Sequence, residues 1–280
     1  MMPLTRPRKR FAQHWLRSEI AIEQILMAAE LCSQDRVLEI GPGTGILTRH
    51  LLPVVKAEVA VEIDRDLCRL LAKRWGDQPN FLLLQGNFLD LDLANYLQSF
   101  TAFQNPNKVV ANIPYNITGP ILEKLLGKIA KPTSSPYDLI VLLVQKEVAN
   151  RLVAQPGTKA YGALTIRVQY LATCEAIADV PRRSFQPPPK VDSAIVRLRP
   201  RQLQTPATHP KQLETLVKLG FSNRRKMLRN NLRSIITLEQ LLPIFARLNI
   251  DPMVRAEDLS LHQWIALSNM IIESVATAHS

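Results

Sequence analysis

Apolar residues in the first two-thirds of the chain fall into short blocks separated by stretches with helical spacing. Blocks at 37–40, 58–63, 81–85, 108–111 and 138–144 predict five strands, and the segments 46–52, 67–75 and 120–128 between them predict helices. That alternation is the signature of a parallel sheet with crossover helices. The block at 138–144 is apolar on both faces, which predicts an interior strand. After residue 150 the pattern changes: 161–171 reads as a helix, then 175–180 and 191–198 read as strands joined by a proline-rich link. So short a link favours an antiparallel pair. Residues 200–210 read as a linker, and from Lys211 to the end the spacing is helical, with a break at Asp251-Pro252.

The chain has 280 residues, 46% of them hydrophobic, enough for one substantial domain and a smaller one. It contains no apolar run of membrane-spanning length and no secretory apolar core after its basic start, so a cytoplasmic location is expected. Cys32, Cys68 and Cys174 lie far apart without metal-ligand spacing, and no metal site is expected. Lys and Arg number 35 against 24 acidic residues, a net charge of +11. The excess gathers at Arg6-Pro7-Arg8-Lys9-Arg10 and at Arg224-Arg225-Lys226 with Arg229 and Arg233, which favours a polyanionic partner.

Candidate chemistry sits at the carboxyl ends of the predicted strands, where open parallel sheets bind ligands. Gly41-Pro42-Gly43-Thr44-Gly45 follows the first strand and opens a helix. A dinucleotide loop has the spacing G-x-G-x-x-G, its third glycine falling where this chain has Ile46. The tighter G-x-G-x-G suits S-adenosylmethionine, which has no pyrophosphate and needs mainly close backbone approach. Glu39 precedes the loop and is placed to face an ammonium. Glu62 comes about twenty residues after the loop, the position from which an acid accepts both ribose hydroxyls of either cofactor. The stretch Gln85-Gly86-Asn87-Phe88 follows the third strand, where an adenine ring would lie, and Asn112-Ile113-Pro114-Tyr115 follows the fourth. This last run offers an amide, a backbone carbonyl and an aromatic face, the groups needed to hold an amino group on a flat heterocycle.

With these segments in view, the chain resembles the bacterial small-subunit ribosomal RNA adenine dimethyltransferases, the KsgA family. The resemblance is carried by residues 8–16, 112–118, 145–152 and 185–196. It implies a Rossmann-like class I S-adenosylmethionine-dependent methyltransferase sheet, mostly parallel with the last strands antiparallel, and a small C-terminal all-helical domain. The expected boundaries are 1–203 for the catalytic domain with its basic N-terminal segment and 204–280 for a helical RNA-binding domain. By the resemblance, His14, Leu16, Gly41, Glu62, Asn87 and Asn112 line the S-adenosylmethionine pocket. His14 stands where the family often has Asn, Asn87 where it often has Asp, and Ala12 where Gly is frequent.

The implied reaction is methyl transfer to N6 of two adjacent adenosines near the 3′ end of 16S ribosomal RNA, within a small-subunit (30S) precursor, by a monomer. Asn112 and Ile113 would accept the amino N–H groups, Pro114 would fix the loop, and Tyr115 and Phe185 would stack on the base. The alternatives are a 23S ribosomal RNA adenine methyltransferase of the macrolide-resistance type, a noncatalytic assembly factor and a dehydrogenase.

Overall fold

The structure is a computed structural model that describes residues 8, 13–134 and 137–277. Most of the basic run at 6–10, together with Phe11 and Ala12, lies outside the described residues. In chain order, strand β1 (Trp15–Leu16) leads into helix α1 (Glu19–Ala29). Ser18 caps α1 by accepting the Ala21 N–H, and Glu19 in the first turn complements the helix dipole. The helix buries Ala21, Ile22, Ile25, Ala28 and Ala29, spaced three and four apart. It was not legible in the sequence because Ile20 and Met27, 69% and 78% exposed, put apolar residues on its wet face as well.

Then follow β2 (Arg36–Ile40), α2 (Thr48–Leu51), β3 (Ala57–Glu62), α3 (Arg65–Trp75), β4 (Phe81–Gln85), α4 (Leu93–Leu97), β5 (Lys108–Asn112) and α5 (Thr118–Leu126). A short hairpin, β6 (Gly127–Lys128) with β7 (Lys131–Pro132), precedes β8 (Leu139–Gln145), α6 (Lys146–Leu152), α7 (Ala163–Leu171) and β9 (Ala172–Val180). Next come β10 (Phe185–Gln186) and β11 (Ser193–Pro200), then α8 (Pro210–Gly220), α9 (Leu228–Asn231), α10 (Leu238–Arg247) and α11 (Leu261–Thr277).

Seven strands form one sheet in the order β4-β3-β2-β5-β8-β11-β9. The pairs from β4 through β8 are parallel, while β11 runs antiparallel to β8. The fold is therefore α/β with the mixed edge expected from the sequence. Strand β8, buried from Leu139 to Val144, lies inside the sheet as its two apolar faces predicted. Register brings Ile40 beside Val61, Glu62 beside Gln85 and Asn112 beside Leu143, so the strand ends meet along one edge. Near the opposite ends of the strands, Lys108 pairs with Asp35 at 2.9 Å, and Asn107 ties Asp35 to Asp138.

The chain divides into two compact units. The first takes the described residues up to Leu125, those within Ser134–Ala149, and Cys174–Pro200. The second takes Leu126–Thr133, Asn150–Thr173 and the described residues after Pro200. The last crossing falls at 200/201, and the second unit also gathers the β6–β7 hairpin and α7. Its core includes the fully buried Trp264 and Tyr161, with Phe221 between them in ring contact. Arg224 donates to Glu257 and to the carbonyls of Lys159 and Tyr161 inside this unit. Among the described residues no helix is long and apolar enough to cross a membrane.

Candidate active site

A cavity of 330 Å³ opens at the carboxyl ends of β2, β3, β4 and β5 in the first unit. Residues 13–16 form one wall, 39–44, 46–47 and 61–63 the next, and 86–89 with 112–117 complete it.

The glycine loop after β2 is shaped by what it touches. Gly45 has φ +80°, and any Cβ there would fall 2.2 Å from the Trp75 ring, so the turn excludes other residues. Gly41 donates its N–H to the Val61 carbonyl at 2.9 Å, and Gly43 donates to Glu62 Oε2 at 3.0 Å. The other oxygen, Oε1, accepts the Asp64 N–H at 2.8 Å. Burial raises the Glu62 pKa, and those two N–H bonds oppose the shift. Each oxygen keeps a further lone pair for a ligand hydroxyl.

Asp64 anchors the N-terminal wall. It accepts from Arg8 at 3.0 Å and from Gln13 at 3.2 Å, while Arg8 also pairs with Asp66. Arg8, read from the sequence as part of a phosphate-binding cluster, is instead committed to these carboxylates. Asp64 was missed in the sequence, although an acid two residues beyond Glu62 at a helix start is a legible cap signal.

His14 and Leu16 both line the cavity. His14 Nδ1 lies 2.8 Å from the Pro187 carbonyl, which only a protonated Nδ1 satisfies, and its backbone carbonyl accepts from Asn112 Nδ2 at 3.2 Å. With Nδ2 so engaged, Asn112 Oδ1 has no donor among the described residues. The His14 ring stacks on Tyr115, centroids 5.8 Å apart and planes at 18°. Tyr115 in turn bonds Ser193 Oγ through its hydroxyl at 2.5 Å. Burial raises its pKa, with the Ser193 bond acting the other way, so the phenol stays neutral.

Asn87 also lines the cavity; its Oδ1 accepts the Leu89 N–H at 3.2 Å and its Nδ2 donates to Asp90 at 2.8 Å. Lys124 fixes that loop from behind, donating to the Leu89 and Leu91 carbonyls at 2.9 and 2.6 Å with its ammonium 5.0 Å from the Phe88 ring centre.

Of the residues singled out in the sequence, the structure brings together His14, Leu16, Gly41, Glu62, Asn87, Asn112, Ile113, Pro114 and Tyr115. It does not bring Phe185 to the cavity. Pairing of β1 with β10 sets Phe185 opposite Leu16, and its ring, 4% exposed, packs in the core with Ile22 and Ile25. The expected stacking face is therefore covered in this structure.

Among the described residues, the cavity wall carries Glu39 and Glu62 and no Lys or Arg. Such a wall repels a pyrophosphate and attracts a cation. S-adenosylmethionine, with its sulfonium and ammonium, fits this donor set. Among the described residues no group of three His, Cys, Asp or Glu is placed to hold a metal ion.

Residues 5–273 match the ribosomal RNA adenine dimethylase family. The chain belongs to that family. It is 63% identical to the ribosomal RNA small subunit methyltransferase A of Trichormus variabilis, over 96% of this chain and 99% of the relative. The protein of the same name from Synechocystis is 54% identical over 95% of this chain and 96% of its own length. Among solved structures, a dimethyladenosine transferase from Plasmodium falciparum superposes with a TM-score of 0.78 at 27% identity, covering 94% of this chain and 98% of that one. The 23S rRNA methyltransferase ErmE gives 0.69 at 26% identity, covering 92% and 99%. The family fold is thus a class I methyltransferase sheet, and this member is a methyltransferase.

Proposed function

We propose that this enzyme transfers methyl groups to N6 of two adjacent adenosines in a loop near the 3′ end of 16S ribosomal RNA, giving N6,N6-dimethyladenosine during small-subunit biogenesis. When bound, S-adenosylmethionine supplies an electrophilic methyl group. Glu62 would hold its ribose, Glu39 its amino group, the loop at Gly41 would give close backbone approach, and the wall at Asn87 would take the adenine.

The observation that carries the reading is the state of Asn112. The His14 carbonyl fixes its amide nitrogen, so Oδ1 is the atom left to accept. Asn112 Oδ1 and the Ile113 carbonyl then take the two N–H groups of the target amine. Those bonds draw the nitrogen lone pair out of conjugation with the ring and orient it. As positive charge develops on nitrogen, the same acceptors bind more strongly, which lowers the barrier and not merely the ground state. The methylated nitrogen is acidic and sheds its proton without a dedicated base. Tyr115 offers its ring to the base once His14 yields that face. An adenosine in an RNA loop costs less to unstack than one in a duplex.

The substrate is a small-subunit precursor particle, and the enzyme acts as a cytoplasmic monomer. The exposed Arg225, Lys226 and Arg233 of the second unit contact RNA phosphate. A large-subunit target of the ErmE type is less well supported, since the relatives above 50% identity carry the small-subunit name. Methyl incorporation into assembled small-subunit particles, compared with bare large-subunit RNA, tests the choice. Labelled small-subunit RNA is expected; label confined to large-subunit RNA would overturn the reading.

A further inference from the structure

Strands β2 and β3 bury two carboxyl groups on one face of the sheet. Glu39 is 1% exposed and Glu58 is 0% exposed. Register places Glu39 beside Ala60, two residues beyond Glu58, so both side chains leave the same face of the sheet. Glu39 and Glu58 are thus diagonal neighbours across the two strands, both shielded from water. Two neighbouring carboxylates so shielded from water cannot both stay ionised, so one of them carries a proton.

The surroundings decide which one does. Glu39 Oε2 accepts the Thr48 hydroxyl at 2.6 Å, a bond that favours the anion, and Glu39 lines the cavity. Neither Glu58 oxygen is reached by an N–H or O–H donor of the described residues. Glu58 does not line the cavity and has no part in the chemistry assigned above.

We propose that Glu58 is a positioning residue for the cofactor: as a neutral acid it donates a hydrogen bond to the Glu39 carboxylate and keeps a negative charge beside the bound ligand's amino group. The inference rests on the cofactor reading given above. Without Glu58, the Glu39 carboxylate would keep Thr48 as its only donor, hold its proton to higher pH and lose its attraction for an ammonium at neutrality. Burial already lifts the Glu39 pKa to about 7, with Glu58 and Thr48 restraining it and the Glu62 charge adding to it. Burial, then the charge of Glu39, holds Glu58 well above the ordinary carboxylate range. The titratable groups facing the pair are Glu39 itself on β2 and Glu62 on β3; α2 contributes the Thr48 hydroxyl, and β4 sets Phe81 opposite Glu58.

The test is calorimetric binding of two probes at several pH values. S-adenosylhomocysteine carries the amino group, and 5′-methylthioadenosine lacks the whole amino-acid portion. Glu58→Leu should weaken S-adenosylhomocysteine by about tenfold or more near neutrality. Its affinity should recover only at higher pH, and 5′-methylthioadenosine should be unaffected. Glu58→Gln, which keeps a donor, should retain the wild-type affinity and pH profile. An unchanged S-adenosylhomocysteine profile in Glu58→Leu would overturn the proposal, as would equal losses for both probes or failure of Glu58→Gln to rescue. Should the wild-type protein bind neither probe, the cofactor reading itself fails, which distinguishes the two.

Discussion

The Tyr115 hydroxyl and Ser193 Oγ lie 2.5 Å apart, joining the loop after β5 to the start of β11. Because Ser193 is fully buried, this bond pins the Tyr115 ring beside Asn112 in a fixed orientation. Tyr115→Ala should lower turnover on RNA about 10- to 100-fold, the loss of one base stack worth about 1–3 kcal/mol. Tyr115→Phe keeps the ring and should cost only about 1 kcal/mol of stability. Steady-state kinetics beside denaturant unfolding check both, and unchanged turnover in Tyr115→Ala would remove the ring from the site.

Phe185 should behave as a core residue. Phe185→Ala is expected to destabilise the protein by about 3–5 kcal/mol, read from denaturant midpoints. Phe185→Leu, which refills most of the volume, should cost less than about 1.5 kcal/mol and leave turnover near wild type. A large loss of turnover in a stable Phe185→Leu protein would restore the stacking role.

The basic residues near 224 should separate into two kinds. Arg224 bonds Glu257 and two carbonyls, so Arg224→Ala should lower stability more than it lowers RNA affinity. Arg225 and Lys226 are exposed, and each neutralisation should reduce the slope of log affinity against log salt by about 1. Filter binding of RNA across a salt series reads this, and an unaltered slope would make the cluster a solvated surface.

Stability should carry the mark of the buried acids. Glu58 has its pKa raised above the unfolded value of 4.5, so its favourable contribution is complete below that pH and is lost as pH rises towards its folded pKa. Glu58→Gln does not titrate. Wild type should therefore lose stability relative to Glu58→Gln as pH rises from about 4.5 through neutrality, measured by urea unfolding at each pH. A constant difference between the two proteins would contradict the buried-acid assignment.

Much of this architecture was legible in residue order, for definite reasons. Strand β4 is bounded at 81 and 85 in sequence and structure alike, because a turn flanks each side of its apolar run. The cavity wall was legible because glycine, acid, amide and aromatic each stand at a strand's carboxyl end. Helix α1 was hidden by Ile20 and Met27, whose exposure blurs its apolar face. Phe185 was misread because a short run before three prolines does not reveal a pairing with β1, 169 residues away at Leu16. Arg8 and Arg224 were assigned to phosphate because sequence shows charge but not its partner. Here the partners are Asp64 and Asp66 for one and Glu257 for the other. Glu58 carried no motif at all; only the strand register puts it on the same face of the sheet as Glu39.

The most direct measurement is mass spectrometry of small-subunit ribosomal RNA after incubation of precursor particles with the enzyme and isotopically labelled S-adenosylmethionine, run beside Asn112→Ala. Wild type should give labelled N6,N6-dimethyladenosine in the 3′-terminal fragment, and Asn112→Ala none despite near-normal cofactor binding. Absence of dimethyladenosine from that fragment with wild-type enzyme, or equal yield with Asn112→Ala, would contradict the proposed reaction.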